Sequence, residues 1–441
     1  MASLLWSKGT LLCVCGPSFQ ILCQSAESSG HVVYRETHRR PGQLSLSPMT
    51  QETGLSRQQS KPVEEPTEEI TSQEGDPSHS ATGTILAFCF SPSGRYLALC
   101  DDHKILSLYD TQDWHLLSNR VTLKRCMAVA FNNAENILYV ADKFGDVHSF
   151  SVTEPQSDGS LILGHLSMLL DMVVSPDDRY ILTSDRDEKI RVSCLPNAYN
   201  IHAFCLGHTE FVSKIAILPG LENTLVTGGG DATLRFWDYR QGKQLSCVHL
   251  QPVNETSSEE QQLIVTGITC CRRHRLVAVT ILGSHCIWLF RVTSSEGDSL
   301  LVERLPSLDV QAVCWSACFD GQDHLWILRQ LESQPVEVYS VVESHEGFSL
   351  LAVDESEENS SLTSIVKDLN MDWSFFQGAV NTPSLYTNLY KKSFDNTQAY
   401  LKRKQQRIKD QQEKKSMRKN KTQWSPVGKR ARLKQDKESS R

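Results

Sequence analysis

Residues 207–238 read GHTEFVSKIAILPGLENTLVTGGGDATLRFWD, with a Gly-His pair at the start and a Trp-Asp pair at the end. Between these pairs lie short runs of branched and aromatic residues separated by turn residues, a pattern typical of β-hairpins. A second copy begins at Gly164-His165, 43 residues earlier, and passes through a Ser-Pro-Asp-Asp turn at 175–178. Repetition at this period indicates an architecture in which one supersecondary unit is stacked many times.

Weaker copies extend the repeat towards the N-terminus. Residues 90–94 and 131–134 occupy the position of the Ser-Pro-Asp-Asp turn. Equivalent positions then follow one another at intervals of 42, 43 and 44 residues, at Asp102, Phe144, Asp187 and Asp231. Each unit predicts four strands, which form one blade, and a single blade cannot bury both of its faces. A closed ring of blades buries these faces and protects the strand edges.

The repeat resembles that of the WD-repeat family, in which a Gly-His pair opens each unit and a Trp-Asp pair closes it. We therefore predict an all-β fold, a seven-bladed WD-repeat β-propeller with a basic, partly helical C-terminal tail. The last two blades are recognisable only by strand alternation. The predicted organisation is a first blade at 1–36, a disordered insert at 37–83, blades two to seven at 84–354, a linker at 355–383, a basic helix at 384–415 and a disordered basic tail at 416–441.

A hydrogen-bonded tetrad is a feature of blades in this family, and one copy here is complete: His208, Thr227, Asp231 and Trp237. The preceding copy offers His165, Thr183 and Asp187, with Ser193 where the Trp is expected. A buried His or Asp without partners costs about 1–3 kcal/mol, and the tetrad would satisfy all of its members. We interpret these residues as structural and predict no catalytic residues.

Several classes of function lack their sequence features. The chain has no phosphate-binding glycine loop between a strand and a helix, no strand–helix alternation, no nucleophile elbow and no HExxH motif. Its 14 cysteines are scattered without zinc-ligand spacing, which predicts free thiols, no metal and a reducing compartment. Neither a signal peptide nor an apolar run of membrane-spanning length stands out, so we expect a soluble intracellular protein without enzymatic activity or a bound cofactor of its own.

Charge is distributed unevenly along the chain. The net charge is −7, yet residues 391–441 contain 18 Lys and Arg against 5 Asp and Glu, a balance of +13 that leaves −20 for the remainder. An acidic body with a basic tail indicates an anionic partner for the tail. The Lys/Arg clusters also predict a nuclear address, with a cytoplasmic location left open and a solvated, disordered tail as the alternative.

The resemblance extends beyond the repeat. Four stretches are similar to the non-catalytic WD-repeat subunit of eukaryotic tRNA (guanine-N7) methyltransferase: residues 164–171, 184–193, 207–213 and 390–396. That family implies a heterodimer whose separate catalytic subunit binds S-adenosylmethionine and methylates a guanine in the tRNA variable loop. The propeller would stabilise that subunit and help to position tRNA. The alternative is a general interaction scaffold, such as a chromatin or ubiquitin-ligase adaptor, because fold alone does not fix function.

Two sets of candidate binding residues follow from this resemblance. The fourth blade is expected to contact the catalytic subunit through Arg186, Glu188, Lys189 and Arg191. The basic tail is expected to contact tRNA through Lys402, Arg403, Lys404 and Arg407. We further expect Arg191→Leu to weaken the heterodimer while leaving the propeller folded, since truncating one partner of a desolvated interfacial ion pair costs about 2–5 kcal/mol.

Overall fold

The structure, a computed structural model, describes residues 2–24, 31–37, 83–250, 263–294, 300–344, 347–353, 361–380, 382–391 and 396–423. The predicted insert at 37–83 lies outside the described residues apart from its two end positions, and so does the chain after Gln423. Two compact units make up the chain, Met1–Tyr390 and Lys391–Arg441.

The first unit contains seven antiparallel sheets, each formed by strands that are consecutive in the chain, so the predicted seven-bladed β-propeller is confirmed. Blade 1 consists of β1 (Ala2–Ser7), β2 (Thr10–Cys15), β3 (Ser18–Gln24) and β4 (His31–Thr37); blade 2 of β5 (Ile85–Phe90), β6 (Tyr96–Asp101), β7 (Ile105–Asp110) and β8 (His115–Val121); blade 3 of β9 (Cys126–Phe131), β10 (Ile137–Asp142), β11 (Asp146–Ser151) and β12 (Ser160–Gly164).

The remaining blades follow the same order. Blade 4 consists of β13 (Leu169–Val174), β14 (Tyr180–Asp185), β15 (Lys189–Cys194) and β16 (Ile201–Leu206); blade 5 of β17 (Val212–Ile217), β18 (Thr224–Gly229), β19 (Thr233–Asp238) and β20 (Lys243–His249). Blade 6 consists of β21 (Val265–Cys271), β22 (Leu276–Ile281), β23 (Cys286–Ser294) and β24 (Leu300–Arg304), with a short β25 (Leu308–Asp309) beside β23; blade 7 of β26 (Cys314–Phe319), β27 (His324–Arg329), β28 (Val336–Ser344) and β29 (Gly347–Ala352).

Burial follows the position of a strand within its blade. Every residue of the second strands β14, β18 and β22 is buried, because neighbouring blades cover both of their faces. This explains why these strands are runs of apolar residues rather than alternating ones. The fourth strand β16 lies at the outer edge, and most of its residues are exposed. The first strands of neighbouring blades contact one another around the ring and line its centre.

Blades 1 and 7 close the ring by side-chain packing. The Trp6 ring stacks on the Trp326 ring with 5.4 Å between centroids, and the Leu4 backbone N–H donates to Ser316 Oγ at 3.2 Å. Among the strands that the structure describes, none is shared between these two sheets. The seam therefore depends on packing between the first and last blades.

Two helices cover this seam, and they overturn the predicted linker at 355–383. Helices α1 (Ser361–Met371) and α2 (Trp373–Phe376), with a 3₁₀ turn at Gln377–Ala379, pack into the core shared by blades 1 and 7. Phe376 is fully buried there, and Gln20 Nε2 of blade 1 donates to Asp372 Oδ2 at 2.7 Å. The Trp373 ring stacks on Trp315 of blade 7 at 6.1 Å. The segment thus holds the ring closed.

The predicted helix at 384–415 is also wrong in its bounds. Residues Tyr386–Asn388 form a 3₁₀ turn that belongs to the first unit, and α3 runs from Asn396 to Gln423 in the second. The apolar spacing before residue 391 is helical, but those side chains pack on the propeller instead. The helix continues past residue 415, where a disordered tail was predicted, because the first Pro or Gly after Asn396 is Pro426.

Candidate partner-binding surface

Blade 5 brings together the complete tetrad that the sequence predicts. His208 Nδ1 lies 2.9 Å from Asp231 Oδ2 and His208 Nε2 lies 2.7 Å from Thr227 Oγ1, while Trp237 Nε1 donates to the same hydroxyl at 2.9 Å. Burial by itself would raise the pKa of Asp231, but the hydrogen bond with His208 lowers that pKa below its usual value. The four polar groups satisfy one another inside the blade, so the tetrad stabilises the fold.

Blade 4 contains a similar network, but with a different aspartate from the one predicted. His165 Nδ1 lies 3.1 Å from Asp185 Oδ2, and its Nε2 lies 2.8 Å from Thr183 Oγ1. The predicted partner, Asp187, is in the hairpin turn, where its backbone N–H donates to Asp185 Oδ1 at 2.9 Å. A carboxylate at the end of β14 can meet the histidine and also accept the N–H groups of the turn, which favours residue 185.

Arg191 is buried inside blade 4, which corrects its prediction as a surface contact. Its side chain donates three hydrogen bonds, from Nε to Ser193 Oγ at 2.9 Å, from Nη1 to the Gly164 carbonyl at 2.9 Å and from Nη2 to the Ala198 carbonyl at 3.1 Å. Only 8% of the residue is exposed. Strand alternation puts Lys189 and Arg191 on the same side of β15. Lys189, at the start of the strand, reaches solvent, whereas Arg191 does not.

Arg186 contacts the chain's own C-terminal segment rather than an open surface. Its Nε donates to the Leu389 carbonyl at 2.7 Å, and its Nη2 lies 3.5 Å from the Tyr390 carbonyl. These partners are more than 200 residues away in sequence, so local patterns could not reveal them. Arg186 as a partner-binding residue stays a prediction, and its guanidinium is already engaged within the first unit.

Glu188 and Lys189 lie at the surface of blade 4, in the turn after β14 and at the start of β15. Lys189 is exposed, with its Nζ 3.2 Å from the Asp187 carbonyl, and Glu188 is partly exposed. Glu188 adopts a positive φ of 72° at the tip of the turn between β14 and β15. Its side chain thus projects from a fixed turn beside Lys189.

Large apolar side chains flank this turn. Leu166 is fully exposed, 62% of Leu206 is exposed, and 64% of Phe144 is exposed, with Lys124 Nζ 4.8 Å from the centre of its ring. We call this surface the blade 3–4 rim, which consists of Lys124, Phe144, Leu166, Glu188, Lys189 and Leu206. Exposed apolar side chains bordered by charged ones are typical of protein-binding surfaces.

Backbone contacts connect the parts of the rim. The His165 N–H donates to the Gly145 carbonyl at 2.8 Å, which joins the turn of blade 3 to the loop entering blade 4. The His165 ring and the Lys189 N–H both bind the Asp185 carboxylate. Lys189 lies opposite Leu206 in the pairing of β15 with β16, so their side chains share one face. The rim is thus one connected surface on a rigid scaffold.

Sequence reasoning missed the apolar members of the rim, although a signal was present. The two repeats read Gly164-His165-Leu166 and Gly207-His208-Thr209, so one copy has leucine where the other has an exposed threonine. Periodicity predicts a strand or a turn but does not tell which repeat position reaches solvent. Comparing side chains at equivalent solvent-facing positions would have found Leu166.

The predicted tRNA-binding residues lie on α3 in the second unit. Lys402, Arg403, Lys404 and Arg407 are all exposed on this helix. Gln406 Nε2 donates to Asp410 Oδ1 at 3.0 Å, one turn further on, which supports the helix at its surface. Consecutive residues of a helix point in directions about 100° apart, so these cations surround much of the helix rather than forming one stripe.

Within the part of the chain that the structure describes, no group of His, Cys, Asp or Glu side chains could hold a metal ion. Of the described helices, none combines the length and the apolarity needed to cross a bilayer. The described cysteines are all free. Burial raises the pKa of most of them, for example that of Cys89 to about 12, so these thiols stay protonated near neutrality.

Comparison with known proteins gives a consistent family. The model of the tRNA methyltransferase TRM82 WD40 domain matches residues 24–159 and 151–315. The tRNA (guanine-N(7)-)-methyltransferase non-catalytic subunit of Danio rerio is 40% identical, with 80% of this chain and 84% of that protein covered. The Homo sapiens protein of the same description is 39% identical over 75% of this chain and 78% of its own length. The Drosophila melanogaster one is 30% identical, covering 78% and 80%.

Solved structures show the fold at lower identity. A chain in the crystal structure of the mitotic checkpoint complex superposes with a TM-score of 0.54 at 14% identity, covering 80% of this chain and 89% of its own. The structure of U3-55K gives a TM-score of 0.52 at 18% identity, covering 74% and 87%. At this identity the likeness extends to the propeller fold alone.

Proposed function

This chain belongs to the family of WD-repeat non-catalytic subunits of tRNA (guanine-N7) methyltransferase, and we propose that it forms a heterodimer with the catalytic subunit through the blade 3–4 rim. The chain is the non-catalytic subunit of that complex. In this proposal the rim holds the catalytic subunit, α3 contacts tRNA, and N7-methylguanosine forms in the variable loop at the partner's active site. The relatives lend no support to a chromatin or ubiquitin-ligase adaptor.

The observation that carries the proposal is the exposed apolar surface beside Lys189. Leu166, Leu206 and Phe144 present apolar area to solvent, and burying it stabilises a complex by roughly 25 cal/mol per Å² before the costs of association. Lys189 and Lys124 add positive charge at the same place, which suits a partner with acidic side chains around an apolar patch. Lys189 and Leu206 lie on paired strands, and Lys124, Phe144 and Leu166 lie in short loops and turns between strands.

S-adenosylmethionine would be bound by the catalytic subunit. The first unit consists of antiparallel blades with two short helices packed at the seam, and its sequence lacks the strand–helix alternation of a nucleotide-binding sheet. What this chain contributes is a rigid surface that keeps its partner in an active shape.

Contact with tRNA is assigned to α3. Its exposed Lys402, Arg403, Lys404 and Arg407 concentrate positive charge that costs mutual repulsion unless an anion is near. Phosphates of the tRNA backbone supply that anion, and the release of counterions drives such binding without base recognition. The Lys/Arg clusters at 429–434, which lie outside the described residues, remain a predicted nuclear address.

A pair of matched variants tests the rim. Leu166→Glu replaces an exposed apolar side chain of the rim with a charge, and Thr209→Glu makes the same change at the equivalent exposed position of the next blade. We expect Leu166→Glu to reduce co-purification of the catalytic subunit at least tenfold, with an unchanged melting temperature. Thr209→Glu should retain the partner. If both variants bind it as the wild-type chain does, the rim is not the interface.

A further inference from the structure

Part of one face of the propeller is covered by the chain itself. The covering residues are Tyr386–Tyr390, which we call the face segment. Leu389 is 3% exposed and forms a buried cluster with Leu170, Phe211 and Ile264, beside Met127, Met168 and Leu282. These side chains come from blades 3 to 6, close to the ends of the strands that line the ring. The face segment therefore packs on the inner part of blades 3 to 6.

Polar contacts fix the end of the face segment. Tyr390 Oη donates to the Gly230 carbonyl at 2.9 Å, and its ring meets the Phe211 ring edge-on with 5.0 Å between centroids. Burial raises the pKa of Tyr390 to about 12, so the phenol keeps its proton as a donor at neutral pH. With the Arg186 bonds to the carbonyls of Leu389 and Tyr390, the last residues of the first unit are held from two sides.

Near Tyr386 of the face segment lies a charged pair from the inner strands of blades 4 and 5. Lys214 Nζ is 3.6 Å from Asp171 Oδ2, and the same carboxylate oxygen accepts the Ile215 N–H at 3.0 Å. Asp171 raises the pKa of Lys214, and the nearby Tyr386 raises it further. The face segment thus packs on an apolar cluster and lies near a fixed ion pair, which favours one defined position over a loosely adsorbed one.

The turn between β14 and β15 contributes residues both to the blade 3–4 rim and to the contact with the face segment. Lys189 and Glu188 at one part of this turn belong to the blade 3–4 rim, while Arg186, two residues away, holds the face segment. We propose that Arg186 is a positioning residue that fixes where the chain leaves the propeller towards α3 and so couples partner docking to tRNA binding. This inference rests on the proposed function, because it takes the rim and α3 as the two binding elements.

The size of the coupling between partner docking and tRNA binding follows from the length of chain that connects α3 to the last residue held on the propeller. With Tyr390 held, five residues separate the last anchored residue from the start of α3 at Asn396. When the face segment is released completely, the nearest anchor is the 3₁₀ turn ending at Ala379, and the connection is about three times longer. Effective concentration falls roughly as the −3/2 power of connection length, so the local concentration of α3 at a docked tRNA drops about fivefold.

Amide hydrogen exchange of the free, full-length chain is the first test. Arg186→Gln removes the charge and the fork of donors, and Arg240→Gln is the control, since Arg240 pairs with Asp177 at 2.9 Å elsewhere in blades 4 and 5. We expect Arg186→Gln to raise exchange at residues 386–391 at least tenfold and Arg240→Gln to leave it unchanged. Arg186→Lys should give an intermediate rate. Equal exchange in Arg186→Gln and the wild-type chain overturns the anchoring role.

Steady-state methylation by the heterodimer is the second test. We expect Arg186→Gln to raise the KM for tRNA about fivefold while kcat falls less than twofold, and Arg186→Lys to recover part of the difference. Faster exchange with an unchanged KM overturns the coupling. Failure of the proposed function looks different, because the wild-type chain would then not bind the catalytic subunit, or truncation of α3 would not affect tRNA affinity, whatever residue stands at position 186.

Discussion

A buried guanidinium needs hydrogen-bond acceptors, and each of the three nitrogens of Arg191 donates to one, in Ser193, Gly164 or Ala198. Removing the guanidinium leaves the buried Ala198 carbonyl and Ser193 hydroxyl without this donor, at a cost of about 1–3 kcal/mol. We therefore predict that Arg191→Leu lowers the free energy of unfolding by this amount, contrary to the expectation of an intact propeller. Chemical denaturation of the isolated chain measures it.

Lys189→Leu is the matched control on the same strand, because Lys189 is exposed at the strand end. Its stability should stay within about 0.5 kcal/mol of wild type. Its affinity for the catalytic subunit should fall instead. Wild-type stability in Arg191→Leu would show that the buried hydrogen bonds of blade 4 contribute little.

Single residues also show how far the repeat could be interpreted from sequence. The complete tetrad of blade 5 was predictable, because all four residue types stand at the spacing of the family. The aspartate of blade 4 was not, since the repeat register selects Asp187 and the structure uses Asp185. In blades 2, 3 and 4 an aspartate at the end of the second strand accepts the N–H four residues later, at Asp101, Asp142 and Asp185. In blade 5 the second strand ends instead at Gly229, where an added Cβ would lie 2.0 Å from the Phe211 carbonyl oxygen, and Asp231 pairs with the histidine.

At the scale of elements, burial decides what the sequence reveals. The second strands are buried on both faces and are therefore recognisable as apolar runs, as in residues 276–280 of β22. Helix α1 has its apolar face against blades 1 and 7, so the surface that selects its conformation is formed partly by residues more than 300 positions earlier. The predicted linker was wrong for this reason. The basic helix was recognisable by composition, but its start was not, because packing on the propeller overrides helical spacing before residue 391.

Helix α3 gives a prediction that distinguishes phosphate contact from simple attraction to the acidic propeller. We expect deletion of residues 402–441 to leave subunit association intact and to reduce the tRNA affinity of the heterodimer several-fold. Each phosphate neutralised contributes roughly 0.7–0.9 to the slope of log affinity against log salt, so the slope should fall by about two units or more. Titrations of tRNA at several salt concentrations measure both quantities.

The reason for choosing the salt slope is that the competing contacts respond differently to salt. Attraction between the tail and the acidic propeller would be screened beyond about 8 Å at physiological ionic strength. Losing such attraction through the deletion would therefore not lower the slope of log tRNA affinity against log salt. An unchanged affinity and slope after the deletion would reduce the tail to an import signal.

At the scale of the whole molecule, closure of the ring joins the two ends of the propeller chain. Blade 1 begins at residue 2 and blade 7 ends at residue 352, and their seam is held by the Trp6–Trp326 stack and by α1 and α2. Contacts so distant in sequence form only after the chain has paid the entropy of closing a long loop. The seam is therefore the interface at which a small local change has the largest effect on the ring.

A histidine lies beside this seam. In blade 7, Asp320 Oδ2 lies 2.8 Å from His324 Nδ1 and accepts Trp326 Nε1 at 2.9 Å, and Trp326 is the residue that stacks on Trp6. The hydrogen bond with Asp320 raises the pKa of His324 above its usual value, against the opposing effect of burial. Protonated His324 thus strengthens its contact with Asp320, the carboxylate that holds the Trp326 ring in place.

The raised pKa fixes the direction of the pH dependence. A histidine whose pKa is higher in the folded chain than in the unfolded chain stabilises the fold fully below the unfolded value of about 6.5, and this contribution is lost as pH rises through the folded value. We predict that His324→Gln removes a stabilising contribution that is present at pH 6 and decreases as the pH rises towards 8.5. Denaturation of both proteins across this range measures it, with His115→Gln as the control at an exposed position of blade 2. A difference between wild type and His324→Gln that does not change with pH would show that His324 acts at the seam through packing and not through its charge.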